Sequence, residues 1–295
     1  MASYFLQIGL NSLIEAMQVC LLAACFLLIH NVSRVLNLGL AAAFLVGGYG
    51  YYAGLQIFDG ALGAFFTAFL GLLLLTVINL SLLRPFIAKG LDLMGLLVGV
   101  GLWFIVQELY SMIYGAQGHS LVEGVLPTVH VGELVLPVTA VRTLVVTFVL
   151  AILSALVFLK TPLGRSLRAL KQHSGVSAQL GVSERRLQAG AFFVALLVAG
   201  LMGIFTGMNE AITPTYAHSM IVSGFLAFLV GGGKDIRGVV LAALLLVLVP
   251  SFIVAAPWGD LNISQTWREV LVFILAAGLL LLKPQGLLTV RTRTS

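Results

Sequence analysis

The sequence predicts an all-α, polytopic integral membrane protein with about nine membrane-embedded segments and a candidate inverted repeat. Three observations carry this. Of 295 residues, 60% are hydrophobic and 9% charged, against about 45–50% and 25% in soluble domains. Apolar runs close to the length of a crossing helix, about 20 residues, recur down the whole chain, which has a mean hydropathy of +1.10. The basic residues fall in every second break between those runs, as alternating topology requires.

The composition also excludes whole classes. Sixteen basic and eleven acidic side chains cannot cover a soluble protein of this size, so a soluble enzyme, a nucleic-acid-binding domain, a disulfide scaffold and a disordered chain all fail. The net charge of +5 is a topology signal, because Lys and Arg collect in cytoplasmic loops. Cys20 and Cys25 share the first run, lack zinc-ligand spacing and read as small core residues. No basic residue precedes that run, which argues against a cleavable signal peptide.

The runs cover 8–30, 36–55, 61–83, 93–114, 142–160, 188–208, 219–232, 238–256 and 268–283. Arg34 lies in the first break, Arg84 and Lys89 in the third. The fifth break holds Arg165, Arg168, Lys171, Arg185 and Arg186, the seventh Lys234 and Arg237, and the tail Lys283, Arg291 and Arg293. The even breaks are nearly free of basic residues, which puts the N-terminus outside and the C-terminus in the cytoplasm. The runs 36–55 and 219–232 are Gly-rich and the second is short, so either can be broken or re-entrant. Such backbone is tolerated only where protein buries it or it lines a cavity. The outer loop 115–141 carries one or two short extended segments ended by Pro127 and Pro137. The whole of 1–295 reads as a single transmembrane domain.

The string Ala43-Phe-Leu-Val-Gly-Gly48 recurs as Ala227-Phe-Leu-Val-Gly-Gly232, running outward in the first copy and inward in the second. Inverted repeats are a common transporter plan with the path at their interface. The plain alternative is chance in a chain dominated by these residues. Under the repeat reading, Gly47, Gly48, Gly231 and Gly232 permit close helix approach or unwound backbone along the path. Asn11, Glu15 and Gln18 are spaced i, i+4, i+7 and form one polar stripe on the first helix, in its outer half. A charge there marks a translocation route, an interhelical tie, or a residue close enough to the surface to stay wet. Gln107 and Glu108, near Trp103 and Tyr110, read as an interfacial anchor. Asn79 reads as a bond to a neighbouring helix.

The break 161–187 is the most informative stretch. Pro162 ends the preceding span. Leu163, Leu167 and Leu170 share a face away from Arg165, Arg168 and Lys171, and a second short helix, 175–180, precedes Gly181. The bland reading is a basic amphipathic loop on lipid headgroups; the sharper one is a docking element for a soluble partner. The pattern Thr161-Pro-Leu-Gly164-Arg165-x-Leu-Arg168-Ala, then Ala178-x-Leu-Gly181-Val, resembles the cytoplasmic coupling loop of branched-chain amino acid (Liv-type) ABC transporter permeases. The interval from Asn11 to Asn37, the glycines near 231 followed by Gly238, and the ending Leu282-Lys-Pro-Gln-Gly-Leu-Leu288 are similar to three further family motifs. The likeness runs through essentially the whole chain. It departs where the family's His-Gly after the second Asn is replaced in Asn37-Leu-Gly-Leu-Ala41, where the Gly-Ser turn is charged at Lys234 to Arg237, and at Glu15. These departures lie in pore-forming elements, not in the coupling loop.

The resemblance implies a permease subunit of an ABC importer in the bacterial inner membrane. It implies a cytoplasmic coupling loop at 161–187 with Gly164, Arg165, Arg168, Lys171 and Gly181, and a periplasmic loop at 115–141; the polar stripe Asn11, Glu15 and Gln18, with Asn37 and the paired glycines, is the candidate translocation path. Asn37 opens and caps the second segment in this reading. The implied partners are a second permease subunit, two ATP-binding subunits, a periplasmic substrate-binding protein and the lipid bilayer, with no nucleic acid, cofactor or metal. The chain has no Walker A, HExxH or nucleophile-elbow sequence, so ATP hydrolysis is expected on the partners. The rival readings are a secondary transporter or channel without ATPases, a membrane enzyme and a non-transporting assembly subunit.

Overall fold

The computed structural model describes residues 2–58, 60–122, 124, 127–131, 134–160, 164, 184–233, 235–256, 264 and 266–288. Among them the nine apolar runs become nine helices: α1 (Ala2–Ser33), α2 (Gly39–Ile57), α3 (Ala61–Lys89), α4 (Asp92–Tyr114), α5 (Val138–Lys160), α6 (Glu184–Asn209), α7 (Ala217–Val230), α8 (Ile236–Ala255) and α9 (Trp267–Leu282). α1, α3, α4, α5, α6 and α8 are long and apolar enough to cross a bilayer. The protein is an all-α polytopic membrane protein. Its one sheet among the described residues is a hairpin, β1 (Thr128–Val131) against β2 (Leu134–Pro137), antiparallel with Thr128 opposite Pro137. This is the extended segment expected at Pro127 and Pro137.

Some helices outrun their apolar runs for local reasons. α1 has 32 residues and ends where Arg34 turns left-handed, φ 58°, with its N–H bonded to the His30 carbonyl at 2.9 Å. That length is about 48 Å at the α-helical rise, well beyond the hydrocarbon thickness. α3 continues through Pro85 to Lys89, although sequence reading placed a break at 84–92. Proline removes a single N–H, and one missing bond late in a long helix does not end it. The stop comes at Gly90, φ 64°, where the Leu91 N–H reaches back to the Phe86 carbonyl at 3.1 Å. α7 has 14 residues, about 21 Å, too short to cross upright.

The chain divides into two compact units. The first comprises Met1–Leu27, Leu126–Leu144 and Ser219–Ser295; the second comprises Leu28–Val125 and Val145–His218. In the first unit α1 is the common neighbour. Phe26 packs on Phe225 and Phe228 of α7, with ring centroids 5.5 and 6.3 Å apart. The Cys20 thiol meets the Val240 carbonyl of α8 at 3.7 Å, and both cysteines are free. The Gln7 amide donates to the Val135 carbonyl at 2.9 Å and accepts from its N–H at 3.2 Å, fixing strand β2 to α1.

In the second unit α2 is the centre, packed on α3, α4 and α6, and buried without a break from Gly39 to Tyr49. Its contacts are backbone on backbone. A Cβ on Gly47 would stand 2.0 Å from the Gly200 carbonyl oxygen, and one on Gly203 would stand 2.0 Å from that of Phe44. Lipid tails are as apolar as leucine, so helices associate by tight packing of small residues, not by escape from water. This predicts a sharp contrast between glycines. Gly203→Ala should cost about 1–3 kcal/mol by overpacking, whereas Gly101→Ala, with nothing within 4 Å of the new methyl, should be neutral or slightly stabilising. Thermal unfolding in detergent measures both; equal midpoints would remove the close-packing account.

Candidate functional site

The polar stripe of α1 resolves into three different settings. Asn11 is exposed and its side-chain oxygen accepts from the Gln7 amide at 3.5 Å. Gln18 is buried. Glu15 forms an ion pair with Arg268 in the first turn of α9, both side chains about a quarter exposed. Sequence reading singled out Glu15 without its partner. The signal was present: Arg268 opens the last span on the side where Glu15 lies, in a break almost free of charge. Arg268 keeps a buried Nε without a hydrogen-bond partner.

Asn37 lies two residues ahead of α2. Its side-chain oxygen accepts from the Gly39 N–H at 2.8 Å, satisfying a free amide at the start of α2. Its amide donates to the Asn79 side chain of α3 at 3.1 Å, and both residues are 1% exposed. Gly39 and Gly99 leave room for this pair, since a Cβ on either would fall within 3 Å of its side-chain atoms. The chain's Gly39 is therefore required by the asparagines on both flanks.

The two copies of the repeated hexapeptide occupy different settings. Gly47 and Gly48 sit inside α2; Gly47 faces Gly200, and Gly48 lies under the Tyr216 hydroxyl, which a Cβ would meet at 2.0 Å. That hydroxyl donates to the Phe44 carbonyl at 2.9 Å. Gly231 and Gly232 instead leave α7 in a turn, with φ 90° at Gly232 and 62° at Gly233. Asp235 then caps α8 by accepting from the Arg237 N–H at 3.3 Å, which accounts for the acidic residue in that turn. The ending motif closes onto the same place. Gly286 packs on Gly232, and the Leu287 N–H bonds the Val230 carbonyl at 3.0 Å.

Sequence reading missed an aromatic cluster in the second unit. Tyr49 of α2 stacks on Tyr110 and Tyr114 of α4, with centroids 4.5 and 5.5 Å away. Tyr52 reaches the His119 Nδ1 at 3.1 Å, while His119 Nε2 bonds the Tyr114 carbonyl at 3.0 Å. A carbonyl only accepts, so Nε2 carries the proton and in the neutral ring Tyr52 donates to Nδ1. Of Gln107 and Glu108, expected as an interfacial anchor near Trp103 and Tyr110, Glu108 is exposed but Gln107 is buried, as is Trp103, which lies 4.6 Å from the His218 ring. Spacing by three and four residues from 103 to 114 holds the signal of this face, which aromatic identity alone disguised as a belt.

Within each unit, contacts join segments that the charge pattern puts on one side. Gln7 meets the hairpin of the 115–141 loop. His119 pairs with Ile212 through backbone bonds of 2.8 and 2.9 Å, linking that loop to 209–218. The 231–233 turn meets the tail. Of the residues expected in a coupling loop, Arg165, Arg168, Lys171 and Gly181 lie outside the described residues; Gly164 is described and buried. Among the described residues no group of three or more His, Cys, Asp or Glu could hold a metal ion.

The ion pair generates a stability prediction. Glu15→Gln and Arg268→Gln should each destabilise, and the double substitution should cost less than their sum by about 1–2 kcal/mol. Chemical denaturation in detergent of the four proteins measures the coupling, and strict additivity would show that the pair is not formed.

Comparison with known proteins adds an independent line. A family model described as branched-chain amino acid transport system / permease component matches residues 8–280. The chain is 21% identical to the high-affinity branched-chain amino acid transport system permease protein BraD of Pseudomonas aeruginosa, over 97% of this chain and 96% of that one. It is 31% identical to the permease protein LivM of the corresponding Escherichia coli system, over 48% of this chain and 33% of that one. A 30% match to LivM of Salmonella typhimurium covers the same shares. Nearly the whole length is thus accounted for by one family, and the chain belongs to the branched-chain amino acid transport system permease-component family.

Proposed function

We propose that the protein is the membrane-embedded permease subunit of an ABC importer for branched-chain amino acids, with 1–295 acting as one permease domain. The observation that carries this is the match to BraD along essentially both full lengths. A second permease subunit, like or unlike this one, completes the pore. Two ATPases dock on the loop 161–187 through Gly164, Arg165, Arg168, Lys171 and Gly181, and a periplasmic binding protein delivers the solute to the 115–141 side. The Glu15–Arg268 pair favours this reading over an ion-coupled transporter, since it gives the α1 carboxylate a partner on α9 and makes it a tie between helices.

The orientation we propose is N-terminus periplasmic and C-terminus cytoplasmic, in the inner membrane. The same-side contacts of Gln7 with Val135 and of Leu287 with Val230 support it, because each joins ends that the basic breaks assign together. The path runs past Asn11, Glu15, Gln18, Asn37, Gly47, Gly48, Gly231 and Gly232. Closure of the ATPases on nucleotide pushes the docking loop and switches access between the two sides. Only contacts that differ between the two states can do this work, so the loop must grip the ATPases differently in each.

Two measurements test the proposal. The purified complex in proteoliposomes should take up L-leucine, L-isoleucine and L-valine only with ATP inside. Replacing Arg165 and Arg168 together by Glu should abolish co-purification of the ATPases and uptake, while membrane insertion stays normal. Full assembly and uptake by that variant would defeat the docking role.

A further inference from the structure

Several buried hydroxyls among the described residues are satisfied by their own helix. Thr76 donates to the Leu72 carbonyl at 2.7 Å, Thr143 to Thr139 at 2.9 Å and Ser251 to Val247 at 2.7 Å. One face of α4 behaves otherwise. Trp103 and Gln107 are one turn apart and leave the helix on the same side, and Tyr110 and Tyr114 continue that side. Trp103 is 5% exposed and Gln107 8%, yet the indole Nε1 and the Gln107 Oε1 have no hydrogen-bond partner. The Gln107 amide is oriented, because its Nε2 donates to the Glu108 carboxylate at 3.5 Å and a turned amide would set oxygen against oxygen. Tyr49, fully buried and stacked on Tyr110, holds a third such atom, its Oη.

Buried polar atoms left without partners are costly, and a row of them on one face marks a place built for something else. The row has a definite chemistry: an N–H donor at Trp103, an acceptor at Gln107 one turn on, a hydroxyl on Tyr49, and a stack of tyrosine rings beside them. The geometry points to a solute site in the second unit in which Trp103 donates to a carboxylate, Gln107 accepts from an ammonium, and the edges of the Tyr49–Tyr110 stack hold an aliphatic side chain. An α-amino acid presents both charged groups on one carbon, beside its side chain. His218, with its ring 4.6 Å from that of Trp103, covers the indole, so the solute enters when the 210–218 segment moves aside. The inference rests on the amino-acid importer reading above and adds the residues that discriminate the solute.

The test uses the assembled importer in proteoliposomes, with L-leucine as solute. Two competitors each lack one charged group: 3-methylbutylamine has no carboxylate and 4-methylpentanoate no ammonium. Trp103→Phe keeps a ring and loses the donor; Gln107→Leu keeps the volume and loses the acceptor. Each should raise the KM for leucine about tenfold or more, as polar recognition sites do when a partner is lost, with maximal uptake and ATPase co-purification retained. The pattern of competition is the decisive readout. In Trp103→Phe the amine should close its gap to leucine, and in Gln107→Leu the acid should. Should either variant fail to assemble, Tyr49→Phe, which loses only a hydroxyl, is measured for KM in the same way. Unchanged KM values with unchanged competitor ranking would overturn the site while leaving the importer intact. If the wild-type complex takes up no aliphatic amino acid, the importer reading falls and this site with it.

Discussion

The second unit rests on direct contact between helix backbones. α2 reaches α6 with the Gly47 and Gly200 main chains touching and the Phe44 carbonyl against Gly203. In hydrocarbon there is no water to squeeze out, so attraction between apolar helices comes from short-range dispersion and grows with proximity. Glycine at the crossing removes the side chains that would hold the axes apart. The rest follows from this. α2 can be buried on all sides, the Asn37–Asn79 pair can be sealed at its start, and Tyr216 can lay its hydroxyl across Gly48 to reach two carbonyls.

Much of the fold was legible because the membrane imposes a simple grammar. Nine apolar runs gave nine helices among the described residues, and the prolines at 127 and 137 did flank a hairpin. The boundaries were less legible. Pro85 reads as a stop because proline usually is one, yet the helix has enough other bonds to run through it to Gly90. The Asn37 bond to the start of α2 was legible because it is local: side chain and target N–H are two residues apart. The Arg268 partner of Glu15 left only a faint signal, a basic residue in a nearly uncharged break on the same side, since the pairing spans most of the sequence and depends on how α1 and α9 pack. The aromatic face of α4 was visible as spacing but was assigned by residue type to a belt, a reading that ignores which side of the helix is buried.

The repeated hexapeptide shows the limit of string similarity. The same six residues make a packed helix interior at 43–48 and a helix end with a left-handed turn at 227–232. What differs is the following sequence: Tyr49 continues the helical pattern, whereas Gly233 and the capping Asp235 start another element. The motif near the chain's end is better understood with that turn than alone. Gly286 exists because Gly232 occupies the space a side chain would need, so two separately recognised family motifs are halves of one contact.

The grip of Gln7 on the β2 strand has its own consequence. Both bonds go to main-chain atoms of Val135, one to its carbonyl and one to its N–H. Neither of these two bonds uses a side chain of the hairpin, so both survive a change of residue at 135. A protein built this way can retune the surface it shows at that end while its anchorage stays constant, which separates the evolution of recognition from the upkeep of the fold.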